Sequence, residues 1–256
     1  MTTDRRVLVH PDKASLAGAV AARFITKIID ILDEVDDAHV VLSGGSVNTD
    51  VLVAIRNSAA QTNVDWSRIH FWWGDERFVE KSSPDRNELQ AREALLDHIP
   101  VDDAKVHPFA STDEIADLDE AAASYARQLA DAAPDGRQNP CFDILFLGVG
   151  PDGHIASLFP GMQGITVRDA SVVSVRNSPK PPPLRLSLTL PVIQSADRIW
   201  LVLAGADKAS ALGLALAGAS VDEVPVAGAE GRKRTVFFVD KEAAAEVPEN
   251  LIAPSY

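Results

Sequence analysis

Short apolar runs alternate with segments of helical periodicity along most of the 256 residues. One helical segment places five apolar residues on a single face, namely Leu16, Val20, Phe24, Ile28 and Ile31. The runs that predict strands are HVVLSGG, RIHFWWGDER, KVHPF, CFDILFLGVG, SVVSVRN, LRLSLTL, RIWLVLAG and TVFFVD. The other segments that predict helices are VLVAIRN, RNELQAREALLDHI, residues 115–129 and DKASALGLALAG.

Strands that alternate with helices favour a mainly parallel sheet that is covered on both faces. We therefore predict an α/β fold: an open, mainly parallel, doubly wound sheet of the Rossmann-like type with helices on both faces. The sequence contains no repeat or low-complexity tract, so residues 1–256 are predicted to form a single domain. The proline-rich stretch SPKPPP, residues 178–183, lies between two predicted strands and is interpreted as a stiff loop.

The composition is that of an average globular protein, with 46% apolar and 24% charged residues. A formal net charge of −13 disfavours binding to nucleic acid and to anionic membrane surfaces. Cys141 is the only cysteine, which suits a reducing compartment and excludes a disulfide framework within the chain. The sequence shows neither an apolar signal region nor a run near the roughly 18 apolar residues of a membrane span. We expect a cytoplasmic protein, either a monomer or a weak homo-oligomer.

Polar or glycine-rich segments follow four of the predicted strands. They are residues 43–46, 74–77, 148–154 and 204–208. Ligands of open parallel sheets bind at the carboxyl ends of the strands. Because all four segments fall at that edge of the sheet, we expect them to form a single site.

The turn after HVVL contains Ser43, Gly44, Gly45 and Ser46. Backbone N–H groups in such a turn, at the start of a helix, form a cradle for anions. The alternative is a tight turn in which Ser46 or Asn48 caps the helix. The turn alone does not decide between these two interpretations.

Three consecutive charged residues, Asp75, Glu76 and Arg77, follow the apolar sequence FWW. Charges next to a buried strand cost free energy unless they are exposed or paired. One interpretation is a solvated loop with an internal ion pair. The other, which we favour, is a site in which Arg77 binds a substrate anion and Asp75 pairs with a charged group.

The segment GVGPDGH, residues 148–154, matches the dinucleotide-binding pattern G-x-G-x-x-G. That pattern requires an acidic residue about 20 residues later, where this sequence has Arg176 and Asn177. An arginine is able to bind the 2′-phosphate of NADP, but Pro151 removes a backbone N–H from the loop. We therefore rank a dinucleotide site below an acid–base site and predict no cofactor.

His154 follows the third glycine and has no role in a dinucleotide motif. Imidazole exchanges protons near neutral pH, which suits general acid–base catalysis. Asp152 and Asp75 are both candidates to orient the ring. The alternative is that His154 only caps a helix formed by residues 155–159. The other five histidines show neither H-x-H nor H-E-x-x-H, so no metal site is predicted.

Three basic residues stand near these segments, namely Lys180, Arg185 and Lys208. Lys208 begins a predicted helix, where the helix dipole favours anions rather than cations. A lysine at that position indicates that something negative binds nearby. The alternative is an ordinary exposed lysine.

Six motifs, in order between residues 42 and 209, are similar to those of the 6-phosphogluconolactonase family. They are LSGGS, WGDER, LGVGPDGHIASLFPG, SPKPPP, RLSLTLP and AGADKA. The family also resembles glucosamine-6-phosphate deaminase, which shares the glycine turn and the DGH sequence. One departure is that the family loop commonly reads SGGSTP, whereas this chain has Val47 and Asn48 after Ser46. Val47 has no hydroxyl to donate to a phosphate.

The resemblance implies hydrolysis of 6-phospho-D-glucono-1,5-lactone, a small phosphosugar lactone, to 6-phosphogluconate. His154 would activate water and Asp152 or Asp75 would hold the ring. The groups implied in substrate and phosphate binding are Ser43, Gly44, Gly45, Ser46, Arg77, Lys180, Arg185 and Lys208. Three alternatives remain: an amino-sugar-phosphate isomerase or deaminase, a non-catalytic phosphosugar-binding domain, and an NADP-dependent reductase.

Overall fold

The computed structural model describes residues 4–252, which contain ten strands and six α-helices. The strands are β1 (Asp4–His10), β2 (Ala38–Leu42), β3 (Ile69–Trp73), β4 (Asp75–Arg77), β5 (Val106–His107), β6 (Ile144–Leu147), β7 (Val172–Val175), β8 (Arg185–Leu188), β9 (Arg198–Leu203) and β10 (Arg234–Asp240). The α-helices are α1 (Lys13–Leu32), α2 (Ser46–Asn57), α3 (Asn87–Ala94), α4 (Leu118–Asp131), α5 (Leu190–Gln194) and α6 (Ala209–Leu216). Short 3₁₀ helices cover Ala59–Asn63, Trp66–Arg68, Leu96–His98, Asp103–Lys105, Gln163–Thr166, Ala206–Lys208, Pro225–Gly228 and Glu249–Leu251.

Seven strands form one parallel sheet in the order β1-β10-β9-β6-β2-β3-β5. Every neighbouring pair in this sheet is parallel, so the carboxyl ends of all seven strands lie at the same edge. The other three strands form a small antiparallel sheet in the order β4-β8-β7.

Neighbouring residues of β3 show that helices cover both faces of the parallel sheet. Phe71 stacks on Trp66, which also stacks on Phe24 of α1. Trp72, on the opposite face, meets the edge of Tyr125 from α4. Because successive side chains of a strand point to opposite faces, α1 and α4 lie on opposite sides of the sheet. The predicted α/β fold is confirmed.

The predicted strand RIHFWWGDER is wrong as a single element, because the chain changes sheets at Gly74. The N–H of Gly74 still bonds to Leu42 of β2, but its carbonyl accepts the N–H of Leu188 at 2.8 Å. The following residues then pair with β8 as strand β4. This change of sheet carries Asp75 and Arg77 over the carboxyl edge of the parallel sheet.

Other differences between the predicted and the observed elements are smaller. The segments that form β1 and α5 were not predicted as elements. Helix α4 begins after residue 115, since the Asp117 side chain accepts the N–H groups of Asp119 and Glu120 and caps the first turn. Residues 155–159 form turns and isolated bridges instead of a helix, so His154 is not a helix cap.

Among residues 4–252, no helix combines the length and the apolar character that crossing a bilayer requires.

Candidate active site

A cavity of about 280 Å³ lies at the carboxyl edge of the parallel sheet. Its lining joins residues from the predicted segments with the proline-rich loop: Ser43, Gly44, Gly45, Asp75, Arg77, Gly148, Gly150, His154, Lys180, Arg185 and Lys208. A second cavity of about 290 Å³ adjoins it, because both cavities are lined by Gly44, Gly45, Gly148 and Lys208. Segments far apart in sequence therefore meet around one space.

His154, which lines the cavity, forms a short contact with Asp152. Nδ1 of His154 lies 2.5 Å from Oδ1 of Asp152. Burial alone would raise the pKa of Asp152, but the hydrogen bond and charge of His154, with the charge of Lys180, lower it to about 2. Asp152 is thus an anion at every pH near neutrality. Because Nδ1 is engaged, Nε2 is the ring nitrogen left to exchange a proton with a ligand.

The glycines of the segment GVGPDGH make room for this pair. A Cβ on Gly150 would overlap both Nδ1 of His154 and Oδ1 of Asp152. The N–H of Gly150 bonds to the carbonyl of His154 at 2.9 Å, which closes the turn around the two side chains. Gly153 adopts a φ of +79°, a conformation that favours glycine. The glycine pattern therefore shapes an imidazole–carboxylate pair.

Asp75 makes different contacts from those of Asp152. Its Oδ2 accepts the hydroxyl of Ser157 at 2.7 Å, and its backbone carbonyl accepts Nδ2 of Asn87 at 2.9 Å. Of the two carboxylates considered for orienting the ring, Asp152 is the one in contact with His154. Asp75 lines the same cavity but is buried, with 6% of its surface exposed.

Arg185 holds the proline-rich loop in place through hydrogen bonds to its backbone carbonyls. Its guanidinium donates to the carbonyls of Lys180, Pro181 and Pro182 at 3.1, 2.9 and 3.2 Å. It also lies 5.9 Å from the centroid of the Phe159 ring. Most of its donors are therefore committed to shaping the loop that carries Lys180.

Lys180 and Lys208 bring two ammonium groups to the cavity. Nζ of Lys180 lies 4.0 Å from Oδ1 of Asp152. Burial lowers the pKa of Lys180, Asp152 opposes that effect, and the charges of Lys208 and Arg185 add to the lowering. Lys208 contacts its neighbour Asp207 at 2.8 Å. The mutual effect of these cations shows that positive charge is concentrated here, which favours an anionic ligand.

Arg77 provides a further cation on the β4 side of the cavity. Its Nη1 donates to the carbonyl of Asp85 at 2.5 Å, which fixes the direction of the side chain. Its Nε is buried without a partner within residues 4–252. Arg77 therefore retains hydrogen-bonding capacity beyond its contact with Asp85.

The turn of residues 43–46 leads into α2, and no side chain caps the first backbone N–H groups of this helix. Gly45 is the N-cap, with a φ of +98°. Oγ of Ser46 instead accepts a hydrogen bond from Nζ of Lys13 at 3.3 Å. Nδ2 of Asn48 donates a hydrogen bond to the carbonyl of Gly44 at 3.1 Å. The alternative in which Ser46 or Asn48 caps α2 is therefore wrong. The first N–H groups of α2 remain available to an anion in the adjoining cavity.

Asn87 and Glu76 were not predicted as parts of the site. Asn87 lines the cavity, and its Oδ1 occupies the space where Gly44 would carry a Cβ. Glu76 is 1% exposed and accepts the N–H groups of Arg77, Asn87 and Glu88 at 2.7, 2.7 and 2.9 Å. Burial raises the pKa of Glu76 to about 7, against the opposing effect of Arg86 and these N–H groups. Glu76 thus holds the start of α3 against β4, so the charged triplet is not a solvated loop.

The residues considered for the 2′-phosphate of a dinucleotide or for a metal ion lie outside this cavity or are not grouped to hold an ion. Arg176, considered for a 2′-phosphate, forms an ion pair with Asp119 of α4 at 2.9 Å and does not line the cavity. Within residues 4–252 there is no group of three or more histidine, cysteine, aspartate or glutamate side chains placed to hold a metal ion.

Comparison with known proteins decides the family. The model for the family "Glucosamine-6-phosphate isomerases/6-phosphogluconolactonase" matches residues 11–238. The chain belongs to this family. The resemblance predicted from the six motifs is confirmed, and those motifs surround the cavity of this glucosamine-6-phosphate isomerase/6-phosphogluconolactonase family member.

Relatives in the family agree along nearly the whole chain. A protein of Streptomyces coelicolor named 6-phosphogluconolactonase is 46% identical over 100% of this chain and 99% of its own length. The 6-phosphogluconolactonase of Mycobacterium tuberculosis is 41% identical over 94% of this chain and 97% of its own length. The solved structure of 6-phosphogluconolactonase from Trypanosoma brucei has a TM-score of 0.85 and 29% identity, covering 96% of this chain and 100% of that chain.

Proposed function

We propose that this protein hydrolyses 6-phospho-D-glucono-1,5-lactone to 6-phosphogluconate and thereby serves the oxidative pentose phosphate pathway. The full-length similarity to proteins named 6-phosphogluconolactonase supports this activity. The observation that carries it is that His154, in contact with Asp152 at 2.5 Å, lines a cavity together with Arg77, Lys180 and Lys208. An acid–base pair next to concentrated positive charge suits an anionic substrate whose hydrolysis needs proton transfer.

In the proposed reaction, Nε2 of His154 takes a proton from water as the water oxygen attacks the lactone carbonyl carbon. The carbonyl oxygen becomes an oxyanion, for which Arg77 and the N–H groups of Gly44 and Gly45 are the donors at hand. The bond between the carbonyl carbon and the ring oxygen then breaks. The imidazolium returns its proton to the departing ring oxygen, so the histidine ends the cycle unchanged. Asp152 holds Nδ1 and stabilises the imidazolium.

The substrate phosphate is proposed to lie in the adjoining cavity, which Ser46 and Lys208 line at the start of α2. Uncapped N–H groups of α2 and the ammonium of Lys208 suit a doubly charged anion. Val47 has no hydroxyl to contribute, and Asn48 is tied to the Gly44 carbonyl. Phosphate binding in this chain therefore depends on the backbone N–H groups of α2 and on Lys208.

The family description also covers amino-sugar-phosphate isomerases, so deamination of glucosamine 6-phosphate is the competing activity. Incubation with glucosamine 6-phosphate and an assay for ammonia separates the two. We expect no ammonia release. Release at a rate similar to lactone hydrolysis would contradict the proposed function.

The direct test is a coupled assay in which the lactone is generated from glucose 6-phosphate and its disappearance is followed against the spontaneous rate.

A cytoplasmic location remains a prediction that the single cysteine supports. The state of association, a monomer or a weak homo-oligomer, also remains a prediction.

A further inference from the structure

Lys13 was not among the predicted site residues, but it lies next to the cavity of about 290 Å³ that is proposed to hold the substrate phosphate. Its Nζ is 3.3 Å from Oγ of Ser46, which lines this phosphate cavity at the start of α2. The same ammonium forms an ion pair with Asp50 of α2 at 2.7 Å. The side chains of Lys13 and Asp50 are 42% and 48% exposed, so solvent and ligands reach both groups. A cation outside the predicted set therefore borders the phosphate cavity.

The position of Lys13 within α1 is unfavourable for a cation. It is the first residue of the helix, after the N-cap Asp12, and the helix dipole favours negative charge at this end. The carboxylate of Asp12 is directed at its own helix, since its Oδ1 accepts the N–H of Ser15 at 2.7 Å. The exposed ion pair with Asp50 offsets little of this cost. A second anion bound beside Ser46 would make the position of Lys13 favourable.

Ser46 is a rare side-chain donor at the start of α2. Val47 has no hydroxyl, and Nδ2 of Asn48 already donates to the carbonyl of Gly44. Because Lys13 donates its hydrogen bond to Oγ of Ser46, the hydroxyl proton of Ser46 is left to donate to a ligand. Lys13 thus keeps Ser46 as a donor and adds positive charge beside it.

We propose that Lys13 is a positioning residue that determines specificity for the substrate phosphate, a role that rests on the proposed lactonase function. Lys13 holds the Ser46 hydroxyl as a donor to the phosphate, and its ammonium attracts the phosphate charge. Asp50 competes with the phosphate for this ammonium. Exposed ion pairs are weak, so Lys13 exchanges its contact with Asp50 readily for a doubly charged ligand.

Substitutions of the two paired residues test this role, because they should have opposite effects. Lys13→Met is expected to raise KM for 6-phospho-D-glucono-1,5-lactone about fivefold, the effect of losing one exposed charged contact, with little change in kcat. KM for unphosphorylated glucono-1,5-lactone should change little, and Lys13→Arg, which keeps the charge, should resemble the wild type. Asp50→Asn frees Lys13 and should lower KM for the phosphorylated lactone about twofold. An unchanged KM in Lys13→Met, or a KM in Asp50→Asn equal to or above the wild-type value, would overturn the proposal.

The double variant Lys13→Met/Asp50→Asn separates the release of Lys13 from the general loss of a negative charge. When Lys13 is absent, removal of Asp50 should no longer lower KM. An equal decrease with and without Lys13 would overturn the proposal, because it would show that the effect of Asp50 does not pass through Lys13.

Lys27 and Asp30 of α1 form the matched control pair, with Nζ and Oδ2 2.6 Å apart and similar exposure. Lys27 lies about 21 Å further along the helix than Lys13, well beyond the screening length of about 8 Å at physiological salt. Lys27→Met and Asp30→Asn should both keep the wild-type KM. A rise in Lys27→Met equal to that in Lys13→Met would overturn the proposal. Thermal melting of every variant checks that the fold is intact.

A binding measurement distinguishes failure of this inference from failure of the proposed function. Calorimetry with 6-phosphogluconate, the expected product, reports phosphate binding without turnover. We expect Lys13→Met to bind 6-phosphogluconate about fivefold more weakly than the wild type. A wild type that does not hydrolyse the lactone would contradict the proposed function. Hydrolysis by the wild type, with equal KM and equal affinity in Lys13→Met, would overturn only the role of Lys13.

Discussion

Nδ1 of His154 lies 2.5 Å from Oδ1 of Asp152, two residues earlier in the same glycine-rich turn. A separation of two residues allows the turn itself to hold the pair. Gly150 leaves the space that the two side chains occupy. The acid–base pair of the candidate site thus depends on one short turn. The cations around it, such as Lys180 and Lys208, lie far from that turn in the sequence.

Replacement of His154 by alanine is expected to lower kcat about 10²–10⁴-fold, the usual contribution of general acid–base catalysis. KM should change little, since the phosphate contacts remain. Asp152→Asn keeps the shape but loses the negative charge that stabilises the imidazolium, so kcat should fall by a smaller factor. Steady-state kinetics on freshly generated lactone measures both. A rise in KM at unchanged kcat would mean that His154 only binds substrate.

Gly150→Ala is expected to reduce kcat nearly as far as His154→Ala. The added methyl group would overlap the imidazole and the carboxylate and force them apart. Gly18→Ala is a matched control, because a Cβ on this residue of α1 meets nothing within 4 Å. The control should keep full activity and gain about 0.5–1 kcal/mol of helix stability. Full activity in Gly150→Ala would show that the turn does not constrain the pair.

Lys208→Ala and Arg185→Ala should have different effects, although both residues line the cavity. Lys208→Ala is expected to raise KM for the phosphorylated lactone and to leave hydrolysis of unphosphorylated glucono-1,5-lactone unchanged. Arg185→Ala frees three loop carbonyls, so it should lower activity on both lactones and destabilise the fold by about 1–3 kcal/mol. Kinetics on the two lactones, with thermal melting, distinguishes these outcomes. Identical behaviour of the two variants would contradict the separate roles.

Acid is expected to destabilise the protein through a stack of three histidines near the amino ends of the strands. His39 and His70 stack at 4.6 Å, and His70 and His107 at 5.2 Å, with Nδ1 of His70 2.9 Å from Nε2 of His107. Burial, with the charge of His70, lowers the pKa of both His39 and His107 to about 4. The unfolded chain takes up protons below about pH 6.5 while the folded chain resists until about pH 4. The free energy of unfolding therefore falls as pH drops through that window.

The measurement is Tm as a function of pH from 7.5 to 4.5. His107→Phe preserves the stacking against Trp72 and should show a shallower decline than the wild type. His98→Gln, which lies outside the stack, should follow the wild type. An equal decline in His107→Phe and the wild type would show that the stack is not the source of acid sensitivity.

Six of the seven strands of the main sheet were predictable from the sequence, because the periodicities of strands and helices are local properties; β1 was not predicted. Apolar runs such as CFDILFLGVG and the helical pattern around Phe24 predicted elements that the structure contains. The change of sheet at Gly74 was not readable, since its cause is a hydrogen bond to Leu188, more than 100 residues away. The charged residues after Gly74 therefore looked like a strand end, although they form a strand of a second sheet.

The candidate site was partly predictable for the same reason. His154 and Asp152 share one turn, so the sequence made Asp152 a candidate partner, but Asp75 was an equal candidate until the folded chain showed which carboxylate contacts the ring. Asn87 carries no sequence signal for its role, because its contacts with Asp75 and Gly44 exist only in the folded chain. The role of Arg185 was also hidden, since a basic residue after a proline-rich loop gives no indication that it binds the loop carbonyls.

His154, held by Asp152 beside a cationic cavity, is proposed to activate the water that hydrolyses the phosphorylated lactone. The most direct measurement follows 6-phospho-D-glucono-1,5-lactone, generated from glucose 6-phosphate, with the wild type, with His154→Ala and without protein. We expect rapid loss of lactone with the wild type and a rate close to the spontaneous one with His154→Ala. A wild-type rate equal to the spontaneous rate, or equal rates for the two proteins, would contradict it.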